Sequence, residues 1–489
     1  MKWNKEHLKK TIHEKIGDHK FIVVSNREPF IHQYSDEGIQ CITPASGMVT
    51  ALYPIVKTCE GIWIAHGSGE ADRDVVDEHD HIAVPPENPS FTLRRVWLTR
   101  EEEKGFYYGY ANEGLWPLCH IVYIRPTFRE NDWQQYVRVN QKFADAVLQE
   151  LGNDTGFVFI QDYHFALLPR MIKEQRPDVI VAQFWHIPWP NREVFRVCPQ
   201  ATEIIDGLLG NDLLGFHIRH HCLNFLDTAD RFIEARVDYE RRSVTRGGKE
   251  TLIRAFPISV DSDHINELAH SEEVEKRINK LQQNFHYKSR KIGVGIDRID
   301  YTKGIVERFD AIDRLLELHP EWINRFVFLQ LGPLSRISIG QYKNYNDLLT
   351  HRMLDINQKW KIKDWQPIVL LRTHLNIEEV IAYHRFADLC IVSSIHDGMN
   401  LVAKEFVASR FDLGGILLLS RFTGAARDLE DAILINPIAV DQFAEAIHQA
   451  LVMDDKEKTE RMGKLRKKLE ENNVFRWAGK IVSEMKKLS

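Results

Sequence analysis

The chain has 489 residues, of which 44% are hydrophobic and 27% charged, and its formal net charge is −6. This balance excludes a disordered chain, and the absence of a long basic run argues against a nucleic-acid-binding protein. A chain of this length exceeds one ordinary hydrophobic core, so we expect two domains.

The cellular compartment can be inferred from the first residues and the cysteines. Residues 1–18 are charged and polar and lack the apolar core of a signal peptide. No stretch approaches the roughly 18 apolar residues that a membrane helix needs. The six cysteines show no CxxC spacing, as expected for free thiols in a reducing compartment. We therefore expect a cytoplasmic protein without a membrane partner.

The first part of the chain alternates short apolar runs with longer amphipathic stretches. It predicts strands at 21–25, 157–161 and 179–185, and a helix at about 165–174. Gly247-Gly248 lies between two β-like runs and predicts a hairpin turn. This alternation is typical of an α/β domain, in which helices cover a parallel sheet.

The same alternation starts again after about residue 285, which predicts a second doubly wound domain. We expect domains at 1–270 and 271–470, joined by a polar segment between 257 and 288, and a final helix at 471–489 that packs back on the first domain. The further predicted strands are 291–296, 326–331, 368–372, 389–393 and 416–420, and the further predicted helices are 304–318, 377–385 and 399–410.

Charged residues or imidazoles follow most of the predicted strands, where open α/β sheets bind their ligands. A single such residue is usually a surface or core side chain, but their coincidence at one edge of both sheets predicts an active site. The residues are Asn26, Arg27, Glu28, Asp162, Tyr163, His164, His186, Asp297, Arg298, Asp300, Lys303, Ser335, Arg336, His396, Asp397, Gly398, Met399 and Asn400.

The strongest local signal is the run from Asp397 to Glu405, where a strand passes through Asp-Gly into a helix. The free N–H groups of a first helical turn suit a phosphate, and Gly398 permits close approach of the backbone. Glu405, about two turns into the helix, can accept hydrogen bonds from a ribose diol. Arg298 and Lys303 follow another strand and would stabilise a departing diphosphate.

Two other kinds of site have no pattern in the sequence. There is no GxxxxGK[ST] loop, which argues against an NTPase that transfers a phosphoryl group. There is also no HExxH motif and no Cys/His metal spacing. We therefore expect neither a metal nor another cofactor.

Several short motifs follow one another in a fixed order from about residue 21 to residue 437. They are Ser25-Asn26-Arg27, Ser46-Gly47-Met48, Tyr107 and Trp116 in a Tyr-Tyr-Gly-Tyr…Leu-Trp-Pro setting, Gln161-Asp162-Tyr163-His164, His186-Ile187-Pro188, the run from Asp297 to Gly304, Ser335-Arg336, and the run from Asp397 to Glu405. In these motifs the chain resembles the trehalose-6-phosphate synthase family. That family consists of retaining glycosyltransferases with the GT-B fold, in which two Rossmann-like domains face a central cleft.

The resemblance implies a role for each matching position. The acceptor phosphate would be held by Arg27, Tyr107 and Arg336, and the acceptor sugar by Trp116 and Asp162. The donor would contact Gly47, His186, Arg298, Lys303, Leu375, Asp397, Gly398, Met399, Asn400, Leu401, Val402 and Glu405. Catalysis would depend on His186, Asp162, Arg298, Lys303 and Asp397. The implied route is a metal-free front-face attack, in which the leaving phosphate oxygen takes the acceptor proton.

The chain departs from the family pattern at two places. Ser46-Gly47 stands where the family usually has Gly-Gly, and the loop from Ala65 to Gly69 is one residue longer than the usual Gly-Trp-Ser-Gly. We expect transfer of glucose from UDP-glucose, or from ADP- or GDP-glucose, to glucose 6-phosphate. Two alternatives stay open, namely another phosphorylated acceptor such as glycerol 3-phosphate and a catalytically silent sugar-phosphate-binding regulator. The sequence also leaves a homo-oligomer open.

Overall fold

The computed structural model describes residues 3–17, 19–43, 47–285 and 289–489. The chain forms two compact units, here called unit 1 (Trp3–Ile258 with Val474–Ser489) and unit 2 (Ser259–Asn473). The sequence-based boundaries lie after residues 270 and 470, whereas the units divide after Ile258 and Asn473.

Strands and helices alternate through both units, as the hydrophobic pattern predicts. In chain order the strands are β1 (Lys20–Ser25), β2 (Ile31–Ser35), β3 (Gly38–Ile42), β4 (Ile62–His66), β5 (His81–Val84), β6 (Phe91–Val96), β7 (Gly156–Gln161), β8 (Ile180–Phe184), β9 (Leu213–Phe216), β10 (Arg236–Asp238), β11 (Ser243–Arg246), β12 (Lys249–Ala255), β13 (Lys291–Ile296), β14 (Phe326–Leu331), β15 (Ile368–Leu371), β16 (Leu389–Val392), β17 (Ile416–Ser420) and β18 (Ile433–Ile435).

The helices lie between these strands, after the last strand of unit 2 and at the two ends of unit 1. They are α1 (Lys5–Ile16), α2 (Gly47–Cys59), α3 (Arg100–Glu103), α4 (Trp116–His120), α5 (Glu130–Leu151), α6 (Leu168–Gln175), α7 (Arg192–Phe195), α8 (Ala201–Leu208), α9 (Arg219–Phe232), α10 (Ser262–Ala269), α11 (Glu272–Asn284), α12 (Ile305–Leu318), α13 (Gly340–Trp360), α14 (Ile377–Phe386), α15 (Leu401–Ser409), α16 (Val440–Val452), α17 (Asp455–Glu471) and α18 (Val474–Lys486). Among the described residues, no helix is both long and apolar enough to cross a lipid bilayer.

The large sheet of unit 1 has the strand order β10-β11-β12-β9-β8-β7-β1-β4-β6-β5. Its central strands are parallel, and antiparallel strands close both edges. The hairpin predicted at Gly247-Gly248 is confirmed, because β11 and β12 pair across that turn and both glycines have positive φ. The chain adds β4 and then β6 on one side of β1, and it then places β7 on the other side of β1. The switch point of the sheet therefore lies between β1 and β7.

The last helix of the chain, α18, belongs to unit 1. Its Trp477 packs edge-on against Phe184 of β8, with ring centroids 5.4 Å apart. A Cβ added at Gly479 would lie 2.2 Å from the ring of Trp3, so helix and indole are in close contact. The helix thus covers a wholly buried part of the sheet, since every residue of β8 is buried.

The sheet of unit 2 is entirely parallel, with the order β15-β14-β13-β16-β17-β18. Its switch point lies between β13 and β16. The core packs the sheet against α12 and α16, through side chains such as Phe309, Ile312, Phe328 and Phe443. Every strand predicted from the sequence is present in the two units, and its ends agree to within one residue.

Candidate functional site

Two predicted residues, Arg27 and Asp162, flank the switch point of unit 1. Arg27 follows β1 and is exposed, whereas Asp162 follows β7. Gly47 is the first residue of α2, and its neighbour Ser46 lies outside the described residues. Because the strands are parallel, their carboxyl ends share one edge, which is where such sheets bind ligands.

Asp162 is held in an unusual backbone conformation. It has φ 70° and ψ 176°, a region that costs free energy for a residue other than glycine. Its Oδ1 accepts hydrogen bonds from the backbone N–H of Tyr163 at 2.9 Å and of His186 at 3.2 Å. The carboxylate is therefore fixed across the ends of β7 and β8, and local strain of this kind is typical of functional residues.

His186 is a neutral imidazole with a defined tautomer. Burial lowers the pKa of His186 to about 3. Nε2 of His186 lies 3.0 Å from Oε1 of Gln161. The Gln161 amide is oriented by its own Nε2, which donates a hydrogen bond to the carbonyl of Phe159. Since a carbonyl oxygen only accepts, Nε2 of His186 carries the proton and Nδ1 is left as an acceptor. Such a group can bind a sugar hydroxyl but does not act as a charged acid near neutral pH.

Tyr107 and Trp116 reach the same edge through a π-helical segment, Lys104–Leu115. The ring of Tyr107 stacks on His164, with centroids 5.7 Å apart and an interplanar angle of 11°. Trp116 follows the segment directly, is 6% exposed, and packs against Tyr163 at 5.9 Å.

Asn112 helps to fix this π-helical segment to the end of β7. Its amide nitrogen donates to the carbonyl of Tyr107 at 2.7 Å, and its oxygen accepts from the Tyr163 hydroxyl at 2.8 Å. Segments with π-helical hydrogen bonding are rare and concentrate at functional sites. Unit 1 thus gathers four predicted residues, namely Tyr107, Trp116, Asp162 and His186.

The loop after β4, which departs from the family pattern, is anchored by buried carboxylates. Glu28 Oε1 accepts from the backbone N–H of Ser68 at 2.8 Å and from its hydroxyl at 3.0 Å. Asp72 Oδ2 accepts from the N–H of Gly69 at 2.6 Å. A Cβ added at Gly67 would lie 2.4 Å from the Trp97 ring, so the loop is tightly packed as well.

A single arginine, Arg95 of β6, joins these two carboxylates. Its Nε donates to Glu28 at 2.9 Å and its Nη2 forms an ion pair with Asp72 at 2.7 Å, and all three side chains are at most 1% exposed. Burial and the neighbouring Asp72 carboxylate raise the pKa of Glu28 well above its usual range. The sequence pattern identifies Glu28 only as a polar residue after a strand, and it gives Arg95 no role.

In unit 2, an ion pair spans the switch point. Lys303, in the turn after β13, places Nζ 2.6 Å from Oδ2 of Asp397, which follows β16. The same oxygen accepts from the amide of Asn400 and the hydroxyl of Ser394, each at 3.3 Å. Arg298, half-buried, precedes Lys303 in the same strand-end segment. A cation and a carboxylate thus meet where the two central strands end.

The amino terminus of α15 lies at this edge too. The predicted helix start at Met399 is wrong, because Asn400 has φ 86° and caps the helix through a bond to the N–H of Ala403 at 3.1 Å. The N–H groups of Leu401 and Val402 lie in the first turn, where no intrahelical acceptor exists. Together with the positive end of the helix dipole, they suit an anion.

The remaining residues predicted in unit 2 lie after β13, β14 and β15 or on α15. Burial raises the pKa of Glu405, on α15, to about 7. Arg336 donates from Nη1 to the Tyr342 hydroxyl at 2.6 Å, and it lies 3.7 Å from the buried carboxylate of Asp300. Leu375 is half-buried in the segment between β15 and α14. Gly398 and Met399 are buried between Asp397 and Asn400.

Among the described residues, one cluster has side chains that could hold a metal ion, namely His319, Glu321 and His448. His319 lies where α12 ends, at the edge where the strands of unit 2 begin, so the cluster is remote from the predicted site. The two imidazole rings stack face to face, with centroids 3.6 Å and planes 5° apart. Their lone pairs lie in two stacked, nearly parallel planes, so they do not point at one ion as the nitrogens of metal ligands do.

The family model described as Glycosyltransferase family 20 matches residues 19–487 of the chain. The trehalose-6-phosphate synthase of Mycobacterium sp. (strain KMS) is 36% identical over 471 residues, which cover 94% of each chain. That of Mycobacterium marinum (strain ATCC BAA-535 / M) is 35% identical over 474 residues, which cover 95% of this chain and 93% of that one.

Solved structures agree with these relatives. One, "Trehalose-6-phosphate from E. coli bound with UDP-2-fluoro glucose", has a TM-score of 0.85 at 28% identity and covers 96% of this chain and 99% of that one. An alpha,alpha-trehalose-phosphate synthase (UDP-forming) from Burkholderia xenovorans in complex with glucose-6-phosphate has a TM-score of 0.85 at 29% identity, covering 95% and 100%. The predicted family, α/β GT-B fold class and enzyme class are thereby confirmed. The chain belongs to glycosyltransferase family 20 and is a glycosyltransferase of the trehalose-6-phosphate synthase family.

Proposed function

We propose that this enzyme transfers glucose from UDP-glucose to glucose 6-phosphate, with retention of configuration, to form trehalose 6-phosphate. The observation that carries the proposal is made at the strand-end edge of unit 2. There Lys303, in the turn after β13, contacts Asp397, in the segment that leads into α15, and Glu405 lies on that helix. These groups match a diphosphate and a ribose. The E. coli and Burkholderia xenovorans structures, named for UDP-2-fluoro glucose and glucose-6-phosphate, support the two substrates.

The donor would be held mainly by unit 2. Arg298 and Lys303 neutralise the diphosphate, and the N–H groups from Met399 to Val402 add donors, with Gly47 contributing its backbone. Glu405 accepts from the ribose diol, and Leu375 lies beside the base. Asp397 and Nδ1 of His186 accept from hydroxyls of the transferred glucose.

The acceptor would be held by arginines and aromatic side chains. Arg27, Arg336 and Tyr107 bind the phosphate, since the guanidinium fork matches phosphate oxygens and stays charged. Trp116 and Asp162 orient the sugar ring. The strained backbone of Asp162 supports this role, because it fixes the carboxylate in one direction before the acceptor arrives.

In the reaction, the bond from the glucose C1 to the diphosphate oxygen breaks, and a bond from C1 to the acceptor hydroxyl oxygen forms on the same face. The acceptor proton passes to the leaving phosphate oxygen. A carboxylate nucleophile, as in retaining hydrolases, is then unnecessary. Lys303 and Arg298 contribute most in the transition state, because negative charge accumulates on the diphosphate as the bond breaks.

A second candidate reaction is the same transfer to another phosphorylated acceptor, such as glycerol 3-phosphate. The loop from Ala65 to Gly69 favours it, since this departure from the family pattern is fixed in place by Glu28 and Asp72. A loop of different shape beside the acceptor residues would accept a smaller molecule. Both reactions would take place in the cytoplasm, a location that the free state of all six cysteines supports.

The proposal is tested by offering UDP-, ADP- and GDP-glucose against glucose 6-phosphate, glycerol 3-phosphate and glucose, with product masses as the readout. We expect UDP-glucose and glucose 6-phosphate to give a phosphorylated disaccharide that is non-reducing both before and after removal of the phosphate. The Lys303→Ala variant serves as a matched control and should lose turnover with every pair. A main product from glycerol 3-phosphate would instead establish the second reaction.

A further inference from the structure

Arg308, in the first turn of α12, connects three strand ends of unit 2. It is 0% exposed, and its guanidinium donates to three acceptors. Nη2 reaches Oδ2 of Asp297 at 2.9 Å, Nη1 reaches Oε1 of Gln330 at 2.5 Å, and Nε reaches the hydroxyl of Ser393 at 3.0 Å. These acceptors stand at the ends of β13, β14 and β16, so one side chain fixes the strands on both sides of the switch point.

The backbone of β13 leaves room for this guanidinium. A Cβ added at Gly295 would lie 2.1 Å from Nη1 of Arg308, a distance that no side chain can tolerate. The Arg308 side chain therefore occupies the space that any residue other than glycine would fill at position 295. The arrangement therefore needs both a glycine at position 295 of β13 and an arginine at position 308 of α12.

Ser393 connects Arg308 to the turn that carries Lys303. Its hydroxyl accepts from Arg308 and donates to the carbonyl of Gly304 at 2.7 Å. The N–H of Ile395 donates to the carbonyl of Thr302 at 2.8 Å. Gly304 has φ 61°, and a Cβ there would lie 2.2 Å from the Ser393 carbonyl oxygen. The turn is thus pressed directly against the segment that follows β16.

The two segments joined in this way carry the ion pair of the site. Lys303 belongs to the first segment and Asp397 to the second, and their 2.6 Å contact depends on how the segments are set against each other. A shift of the turn by a fraction of an ångström would move Lys303 relative to Asp397 and to a bound diphosphate. Misplacement by about 1 Å is enough to cost about 100-fold in rate.

We infer that Arg308 is the positioning residue of the donor site, acting through Asp297 and Ser393 to fix Lys303 and Asp397. The inference rests on the proposed function, in which Lys303 and Asp397 contact the donor. Arginine suits the position because its planar fork meets three acceptors in fixed directions, which a lysine ammonium on a flexible stem does not.

The test compares Ser393→Ala and Arg308→Lys with a matched structural control, Asn357→Ala. Asn357 is 6% exposed and bonds the N–H and carbonyl of Ile368 at 3.1 and 2.9 Å, at the opposite edge of the sheet. We expect kcat/KM for UDP-glucose to fall about 10- to 100-fold in Ser393→Ala and Arg308→Lys, with KM for the acceptor unchanged. Ser393→Thr keeps the hydroxyl and should recover most of the loss.

Asn357→Ala should lower Tm while leaving kcat/KM at wild-type values in the folded enzyme. Equal kinetic effects of Ser393→Ala and Asn357→Ala, or wild-type kinetics in Ser393→Ala, would overturn the inference. If Arg308→Lys does not fold, Ser393→Ala decides alone. Lys303→Ala separates the two ideas, because wild-type donor kinetics in that variant would refute the proposed donor site itself.

Discussion

Unit 1 and unit 2 each tie their strand ends together with one buried arginine, but the charges around it differ. Arg95 in unit 1 meets two carboxylates, Glu28 and Asp72, whereas Arg308 in unit 2 meets only Asp297 and two neutral side chains. In unit 1 the second carboxylate adds to burial in raising the pKa of Glu28. In unit 2 burial raises the pKa of Asp297 while Arg308 and Lys303 oppose it. Burial raises the pKa of the carboxylate and the arginine opposes the rise in both units, but the hydrogen bond from a neighbouring carboxylate is a cause only at Glu28.

The cations predicted to bind phosphate groups also differ between the two units. Arg27 of unit 1 is exposed at its strand end, whereas Lys303 and Arg336 of unit 2 each face a carboxylate of their own unit, Asp397 and Asp300. An anion that binds in unit 2 must compete with internal partners. Among the described residues Arg27 has no such carboxylate partner, so an anion that binds there breaks no ion pair. Before a ligand binds, cationic side chains with similar predicted roles thus have different charges around them.

The largest expected effect concerns the acceptor phosphate. Arg27→Ala and Arg336→Ala should each lower the preference for glucose 6-phosphate over glucose about 10- to 100-fold, since a charge-assisted hydrogen bond contributes about 1.5–3 kcal/mol. The double variant should lose about 10²- to 10⁴-fold. The ratio of kcat/KM for the two acceptors measures this. Arg336→Ala should also lower Tm, because Asp300 keeps a buried charge without its cation, whereas Arg27→Ala should not.

Arg138→Ala, which removes an exposed arginine of α5, is the matched control and should leave the ratio unchanged. A double variant that keeps the full preference would show that the phosphate is held elsewhere. Equal losses of Tm in the two single variants would break the electrostatic comparison between the units.

A smaller effect is expected for the pH dependence of donor binding. The pKa of Glu405 is raised to about 7. Only the ionised carboxylate can accept a hydrogen bond from a ribose hydroxyl at each of its two oxygens. Affinity for UDP-glucose should therefore rise by up to about tenfold between pH 6 and pH 8. Glu405→Gln should bind more weakly at pH 8 and show a flat profile. Calorimetric titration tests this, with exposed Glu430→Gln as control, and a slope that persists in Glu405→Gln would exclude the role.

A third effect is expected in the stability of unit 1. Because the folded-state pKa of Glu28 exceeds its ordinary value of 4.5, the folded state binds more protons between these two values. The free energy of unfolding should then fall as pH rises through that window. In Glu28→Gln this fall should be reduced, by at most about 1.4 kcal/mol for each pH unit, or a few degrees in Tm.

Melting curves of wild type, Glu28→Gln and the exposed control Glu37→Gln across pH 5 to 9 measure this dependence. Parallel Tm profiles for wild type and Glu28→Gln would show that the acidic framework of unit 1 does not titrate as inferred. Asp297→Asn provides the counterpart in unit 2, where burial also raises the pKa of the carboxylate and a change of slope with the same sign is expected.

The strands and the polar residues at their ends could be predicted because each depends on local sequence. A parallel strand buried on both faces is a continuous apolar run, such as 389–392, and its end is marked by the first polar residues. The start of α15 could not be predicted, because it depends on the positive φ of Asn400, a conformation that its side chain supports only in the folded site.

The supporting residues could not be predicted, since their partners are distant in sequence. Arg95 lies on the buried face of β6, where its neighbours Phe91 and Leu93 give no sign that a charge is compensated by Glu28. Arg308 reads as a polar residue on an amphipathic helix, although its partners stand on three other segments. The π-helical segment is equally hidden, because hydrogen-bond spacing leaves no clear composition signal.

The return of α18 to unit 1 has a consequence for synthesis on the ribosome. Unit 2 is an insertion within the sequence of unit 1, because Val474–Ser489 completes a unit that begins at Trp3. The indole of Trp477 covers Phe184, so the strand that precedes His186 stays uncovered until more than four hundred residues have emerged. Domains usually finish folding in the order of synthesis. Here all helices and strands of unit 2 are synthesised before unit 1, which begins first, receives its last helix.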